Sequence, residues 1–72
     1  MTQPEQLWQV RARQSWWTCE LHFISESWGW MVWIYRDGSK FGGHRTLLRA
    51  DAEEWAAEIR RDVIEGEGRE GL

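Results

Sequence analysis

The sequence predicts an α+β fold: an antiparallel sheet of three or four strands, connected as a meander, followed by one C-terminal helix packed on one face. Three observations lead to it. Apolar and polar residues alternate along much of the chain up to residue 46, as they do in half-buried strands. After Arg49 the apolar residues recur every three or four positions, as in an amphipathic helix. A length of 72 residues leaves room for one core and therefore one domain.

Four segments have the pattern of strands. The strongest runs from Trp16 to Ile24, where Trp17, Cys19 and Leu21 alternate with polar residues. The third segment is apolar on both faces, which is typical of a central strand. The predicted strands are residues 7–13, 16–24, 28–35 and 40–46. In the alternative β-β-β-α arrangement, the first two strands are continuous through a bend at Gln14-Ser15.

Glycine residues indicate where the last strand begins and why it is expected to be weakly paired. The segment Arg36-Asp37-Gly38-Ser39 predicts a tight hairpin turn, because Asp-Gly tolerates the positive φ angles that such turns need. Gly42 and Gly43 weaken or bulge the strand that follows. We therefore expect residues 40–46 to form an edge strand.

The helix is predicted over about residues 52–64. Its apolar stripe consists of Ala52, Trp55, Ala56, Ile59 and Val63. Asp51 is expected to be the N-cap, with Glu54 completing a capping box, and Gly66 is expected to be the C′ residue. The domain then covers residues 1–66, and residues 67–72 form a flexible tail.

Several features predict a cytoplasmic protein. Cys19 is the only cysteine, which excludes an internal disulfide and indicates a reducing compartment. The longest apolar run, Trp28 to Tyr35, is far shorter than the roughly 20 residues that span a bilayer. The first residues also lack the basic and apolar regions of a signal peptide.

Charge is distributed unevenly along the chain. The net charge is −3, which argues against a general nucleic-acid coat. Residues 1–50 carry six Lys and Arg residues against four acids, whereas residues 51–72 carry three Arg residues against eight acids. The predicted helix and tail are therefore the acidic end of the molecule.

The sequence contains no motif for an enzyme, a cofactor or a metal. His22 and His44 do not combine with Cys19 or Glu20 in a spacing typical of zinc ligands. Gly42-Gly43-His44 lacks the further residues of a nucleotide-binding loop. We expect Cys19 to be a small core residue and not a reactive thiol.

The helix can cover only one face of the sheet, so the aromatic residues divide between two faces. The face predicted under the helix carries Trp17, Cys19, Leu21, Phe23, Trp30 and Val32, against Trp55, Ile59 and Val63. The opposite face is predicted to carry Trp16, Ile24, Met31, Trp33 and Tyr35 together with Arg11 and Arg13. These rings are either structural cross-strand pairs or a surface for binding or homodimer formation. The second interpretation is favoured because Trp and Arg are enriched at interface hot spots.

Two functions are compatible with these features. In the first, the protein binds a protein partner and places its acidic helix against a site that normally holds a phosphate backbone. In the second, it binds nucleic acid through the Trp and Arg residues of the sheet. The candidate partner-binding residues are Arg11, Arg13, Trp16, Trp33, Tyr35, Glu53, Glu54, Glu58 and Asp62.

Each function corresponds to a resemblance. In size, acidity, lone cysteine and lack of catalytic motifs, the chain resembles the small inhibitors of phages and mobile elements, including anti-CRISPR proteins. Tyr35-Arg36-Asp37-Gly38 and Ala52-Glu53-Glu54-Trp55 resemble the arm-type DNA-binding module of phage tyrosine recombinases. That resemblance covers residues 30–55 and implies DNA binding, but only Lys40 and Arg45 follow the turn as basic residues. The protein partner is therefore the favoured hypothesis.

Overall fold

The computed structural model describes residues 3–69 and contains one antiparallel sheet and one helix. The elements are β1 (Glu5–Ala12), β2 (Ser15–Ser25), β3 (Gly29–Arg36), β4 (Ser39–Thr46) and α1 (Arg49–Arg69). The strands lie in the order β1-β2-β3-β4, so each pairs with its neighbour in sequence. The predicted α+β meander is confirmed with four strands, and the alternative in which β1 and β2 are continuous is wrong.

Two of the three hairpins, β1–β2 and β3–β4, are closed by two-residue turns. Asp37 and Gly38 have φ angles of 50° and 86°, as the Asp-Gly prediction required. Arg13 and Gln14 have φ angles of 54° and 64°, so a turn of the same kind joins β1 to β2 with two residues that rarely adopt it. This turn replaces the bend that the alternative arrangement placed at Gln14-Ser15.

The core lies between α1 and one face of the sheet. The sheet contributes the large buried side chains, including Trp17, Leu21 and Ile34, while the helix contributes the small residues Ala52 and Ala56, which are at most 1% exposed. Small residues allow the helix to approach closely, and the indole Nε1 of Trp8 in β1 donates to the carbonyl oxygen of Ala56 at 3.0 Å. Cys19 is fully buried in this core, as predicted.

The rim of the core differs from the prediction in one residue. Phe23 lies on the helix-covered face by alternation, yet it is 39% exposed because it lies near the end of β2, where α1 does not cover it. It instead packs edge-on against Trp30 at a ring distance of 5.0 Å. The placement of Phe23 in the core is therefore wrong.

The helix is longer at both ends than predicted. It begins at Arg49, within two residues of Asp51, but Asp51 lies in the first turn and is not the N-cap. The Ala52 N–H donates to the Leu48 carbonyl oxygen at 3.2 Å, so the first turn closes before the predicted capping box. Arg49 also pairs with Glu5 of β1 and with Glu53 in the helix.

At the C-terminal end, Gly66 lies inside the helix and is not its C′ residue. It is buried, and a Cβ at this position would overlap the guanidinium group of Arg13. The absence of a side chain at Gly66 therefore serves the packing of Arg13 against the helix. The helix extends through Arg69, three residues into the predicted tail, and residues 70–72 of that tail lie outside the described residues.

Replacing Gln14 with glycine should stabilise the protein. Relief of the left-handed conformation, about 1–2 kcal/mol, exceeds the added entropy of a glycine in the unfolded chain, so we expect a net gain of roughly 0.5–1 kcal/mol. Urea denaturation would measure it, with the exposed change Gln14→Ala as the matched control that gives no relief. Equal stability of the two variants would show that the turn is not strained.

Candidate binding surfaces

The face of the sheet away from α1, called the open face below, brings together four of the predicted site residues. Arg11 of β1 is paired with Trp16 of β2, and Trp33 and Tyr35 project from β3 to the same side. Trp16 is 46% exposed. These four residues occupy the face that the sequence predicted.

Arg13 does not belong to the open face, contrary to the prediction. Strand alternation would place it beside Arg11, but the chain leaves β1 at Ala12 and turns at Arg13. Its positive φ angle of 54° directs the side chain to the helix side, against Gly66. Arg13 therefore connects the β1–β2 turn to the end of α1 and lies away from Trp16.

Three indole rings on or beside the open face each carry a cation. The Arg11 guanidinium lies 5.8 Å from the Trp16 ring centre, and the Lys40 Nζ lies 3.9 Å from that of Trp33. Arg45 lies 5.4 Å from the ring centre of Trp28 and donates to its carbonyl oxygen at 2.9 Å. Such pairs hold the rings in fixed positions and place positive charge over their faces.

Gly43 explains how Trp33 fits on this surface. Gly43 is paired with Trp33, and a Cβ on it would lie within 2.7 Å of the indole ring. The ring therefore lies over the glycine backbone of β4. The predicted bulge is present one step earlier, at Phe41, which has no partner in the register between Ile34 and Tyr35.

A polar group lies at the centre of the open face. The Glu20 carboxylate contacts the His22 Nε2 at 3.1 Å, and it also lies beside the Tyr35 hydroxyl. Burial and the neighbouring Glu20 carboxylate raise the pKa of Tyr35. Glu20 thus gives the middle of this otherwise basic face a negative charge.

The β3–β4 turn holds Trp16 in position. The Trp16 N–H donates to Asp37 Oδ1 at 2.9 Å, and the Asp37 N–H donates to the Trp16 carbonyl oxygen at 2.8 Å. The hydrogen bond from Trp16, followed by one from Ser15, lowers the pKa of Asp37. The position of Trp16 therefore depends on the ionised Asp37 side chain.

A second surface, which the sequence interpretation missed, is an apolar tip where the β2–β3 and β4–α1 connections meet. Its side chains are between 39% and 65% exposed: Phe23, Ile24, Trp28, Leu47 and Leu48. Gly29 allows the two connections to approach, because a Cβ on it would lie 2.7 Å from the Leu47 Cα. The available signal was a pair of leucines between the last strand and the first helical residue, where no element could bury them.

The third surface is an acidic flank on α1. Its members are exposed and follow one another at intervals of three or four residues: Asp51, Glu54, Glu58, Asp62 and Glu65. Trp55, next to Glu54, stacks on His44 of β4 at a ring distance of 5.0 Å, which places this flank on the β4 side. Glu53 lies on the opposite flank, beside Leu7 and Trp8 of β1. The structure therefore separates Glu53 from the other three predicted acids.

The remaining candidate groups have structural roles or no partners for chemistry. Burial raises the pKa of Cys19 to about 12, so its thiol is protonated at neutral pH. Among residues 3–69, no three His, Cys, Asp or Glu side chains are grouped in a way that could hold a metal ion. In the same range, α1 is not apolar enough to cross a bilayer.

Comparison of the chain with family models, with curated proteins and with solved structures finds no match. The three surfaces themselves are therefore the basis for a functional proposal.

The lowered pKa of Asp37 predicts a pH effect on stability. A carboxylate with a depressed pKa in the folded state contributes stability above the unfolded value of about 4, and that contribution is lost as the pH falls through the folded pKa. Asp37→Asn preserves the turn, because Asn-Gly also favours it. The melting temperature of the wild type should therefore fall more steeply than that of the variant below about pH 5. Parallel curves would contradict the role of Asp37.

Proposed function

We propose that the chain is a non-enzymatic protein-binding module of the inhibitor type, which acts in the cytoplasm by occupying a basic surface of its partner. The observation that carries this proposal is the apolar tip. It groups five large apolar side chains at one end of a small domain, and Trp28, Leu47 and Leu48 are each more than 60% exposed. Patches of this kind mark interaction sites, whereas singly scattered apolar residues need no such explanation.

The composition around the tip fits a protein interface. Arg45 packs on Trp28, and Arg49 lies 5.4 Å from the ring centre of Trp30. Trp and Arg dominate interface hot spots, since they combine a large apolar area with fixed polar groups. The tip therefore supplies an apolar anchor with basic residues at its border.

The acidic flank begins where the tip ends, since Asp51 follows Leu48 by only three residues. Its carboxylates recur about once per helical turn, or about every 5.4 Å. A protein surface that binds a phosphate backbone is basic, and it therefore attracts a regular row of negative charges. The preferred partner is thus a protein with a nucleic-acid-binding surface, as for the anti-CRISPR-like inhibitors that the chain resembles in kind.

Nucleic-acid binding through the open face is the second candidate. The cations over Trp16 and Trp33 favour it, because aromatic and basic side chains together bind single strands. Two features oppose it: Lys40 occupies a face of the Trp33 ring, and Glu20 places a negative charge at the centre of the surface. We therefore favour the protein partner, with the open face as an additional contact or a homodimer surface.

Affinity capture from a lysate of the native host tests the proposal. The immobilised chain should retain a protein whose recovery is unaffected by nuclease. The double change Leu47→Ser and Leu48→Ser should weaken that binding at least about tenfold, because it removes the apolar anchor. Exposed substitutions usually change stability by less than about 0.5 kcal/mol, so the melting temperature should change little.

Ile64→Ser is the matched control, since Ile64 is 41% exposed on the surface of α1 and lies far from the tip along the helix. It should bind as the wild type does. Recovery that disappears with nuclease would favour the second candidate. Equal binding by the tip variant and the control would contradict the role of the tip, and a concentration-dependent dimer in size-exclusion chromatography would identify a second copy as the partner.

A further inference from the structure

β4 is an edge strand whose outer hydrogen-bonding groups face solvent. It runs over eight residues, Ser39–Thr46, and all but Gly42 and Thr46 are exposed. Within residues 3–69, β3 is its only partner strand. The N–H and C=O groups of alternate residues on the outer side are thus available for pairing with another strand.

The helix side of this edge is acidic. Trp55 stacks on His44 of β4, and Asp51 and Glu58 lie one helical turn before and after Trp55 on the same flank of α1. At Gly42 the same side is open, because a Cβ there would meet nothing within 4 Å. A strand added next to β4 would place every second side chain beneath these carboxylates.

The open-face side of the same edge is basic. Lys40 and Arg45 lie on this side, held over Trp33 and Trp28. The remaining side chains of an added strand would meet these cations, which repel further positive charge. The edge therefore favours an added strand whose side chains are basic on the helix side and uncharged on the open-face side.

We propose that β4 accepts an extended segment of a protein partner in which basic residues alternate with uncharged ones. The basic residues lie on the helix side, towards Asp51 and Glu58, and the uncharged ones lie beside Lys40 and Arg45. Backbone hydrogen bonds to β4 supply affinity, and the alternation of charge supplies specificity. This inference rests on the proposed function, since it specifies which part of the partner is bound.

The opposite edge of the sheet does not offer the same site. The helix flank beside β1 is of mixed charge, because it carries Glu53 and Arg60, and Arg49 already pairs with Glu5 and Glu53. Charge therefore favours β4 as the edge that receives a basic strand.

A synthetic peptide of alternating Arg and Thr, four of each, tests the inference by NMR with the isotope-labelled chain. The amide shifts should change along β4 and at the start of α1. Two versions, N-methylated at the Arg or at the Thr residues, carry the same charge. Because alternate N–H groups of a strand point to one edge, one version should lose binding at least about tenfold and the other should retain it.

Two further controls separate charge from edge pairing. Glu58→Lys should weaken peptide binding about five- to tenfold, whereas Glu53→Lys, on the other flank of α1 with the same charge change, should leave it unaltered. The same number of Arg and Thr residues in two blocks should bind more weakly than the alternating peptide.

Equal binding by both methylated peptides, or shifts confined to β1 or to the open face, would overturn the inference. The variant with Leu47→Ser and Leu48→Ser should still bind the peptide, so the edge and the tip are tested separately. If the peptide fails while nuclease-resistant capture still depends on the tip, the edge inference is wrong and the proposed function stands.

Discussion

The structure depends on the close approach of one helix to one face of a four-stranded sheet. Ala52 and Ala56 allow that approach, since they add almost no volume between the helix backbone and the large side chains of β2 and β3. The hydrogen bond from Trp8 to the Ala56 carbonyl oxygen fixes the distance on the β1 side. A larger residue at either alanine would separate the layers, and overpacking of this kind typically costs about 1–3 kcal/mol.

This constraint determines which surfaces remain uncovered. A single helix can bury only one face, so Trp16, Trp33 and Tyr35 stay on the open face. The helix begins only after Leu47 and Leu48, so the end of the sheet beyond it is also uncovered. The acidic flank and the β4 edge then lie on the same side of α1, and the apolar tip lies at the start of the helix. Their proximity follows from the path of the chain from β4 into α1.

Much of the fold could be predicted from the sequence, because its signals are local. The alternation in β2 and the Asp37-Gly38 turn depend on neighbouring residues alone. The stripe of α1 likewise follows from its spacing, and its buried members Ala52, Ala56 and Val63 are those that the pattern indicated. The open face followed from the same alternation.

The remainder depended on contacts between distant residues. Arg13 turns to the helix side because Gly66 leaves space for it, and no local pattern links these two positions. The predicted start of α1 lies after the observed one, because Asp51 is a residue type that favours the N-cap, although the first turn closes at Leu48. The apolar tip was missed because Trp28, Leu47 and Leu48 lie in two separate connections, and periodicity describes strands and helices but not the residues between them.

The central claim is that the acidic flank faces a basic protein surface and not a nucleic acid. The most direct test is whether a Glu→Lys change on that flank weakens or strengthens binding. Glu58→Lys and Glu53→Lys change the net charge equally but lie on different flanks of α1. Binding of each variant to the captured partner and to a short single-stranded oligothymidylate would be measured at low and moderate salt. We predict that Glu58→Lys weakens partner binding by about tenfold, more so at low salt, while Glu53→Lys has little effect. Tighter binding of the oligothymidylate by Glu58→Lys, with partner binding unchanged, would contradict it, because added positive charge strengthens contact with phosphates.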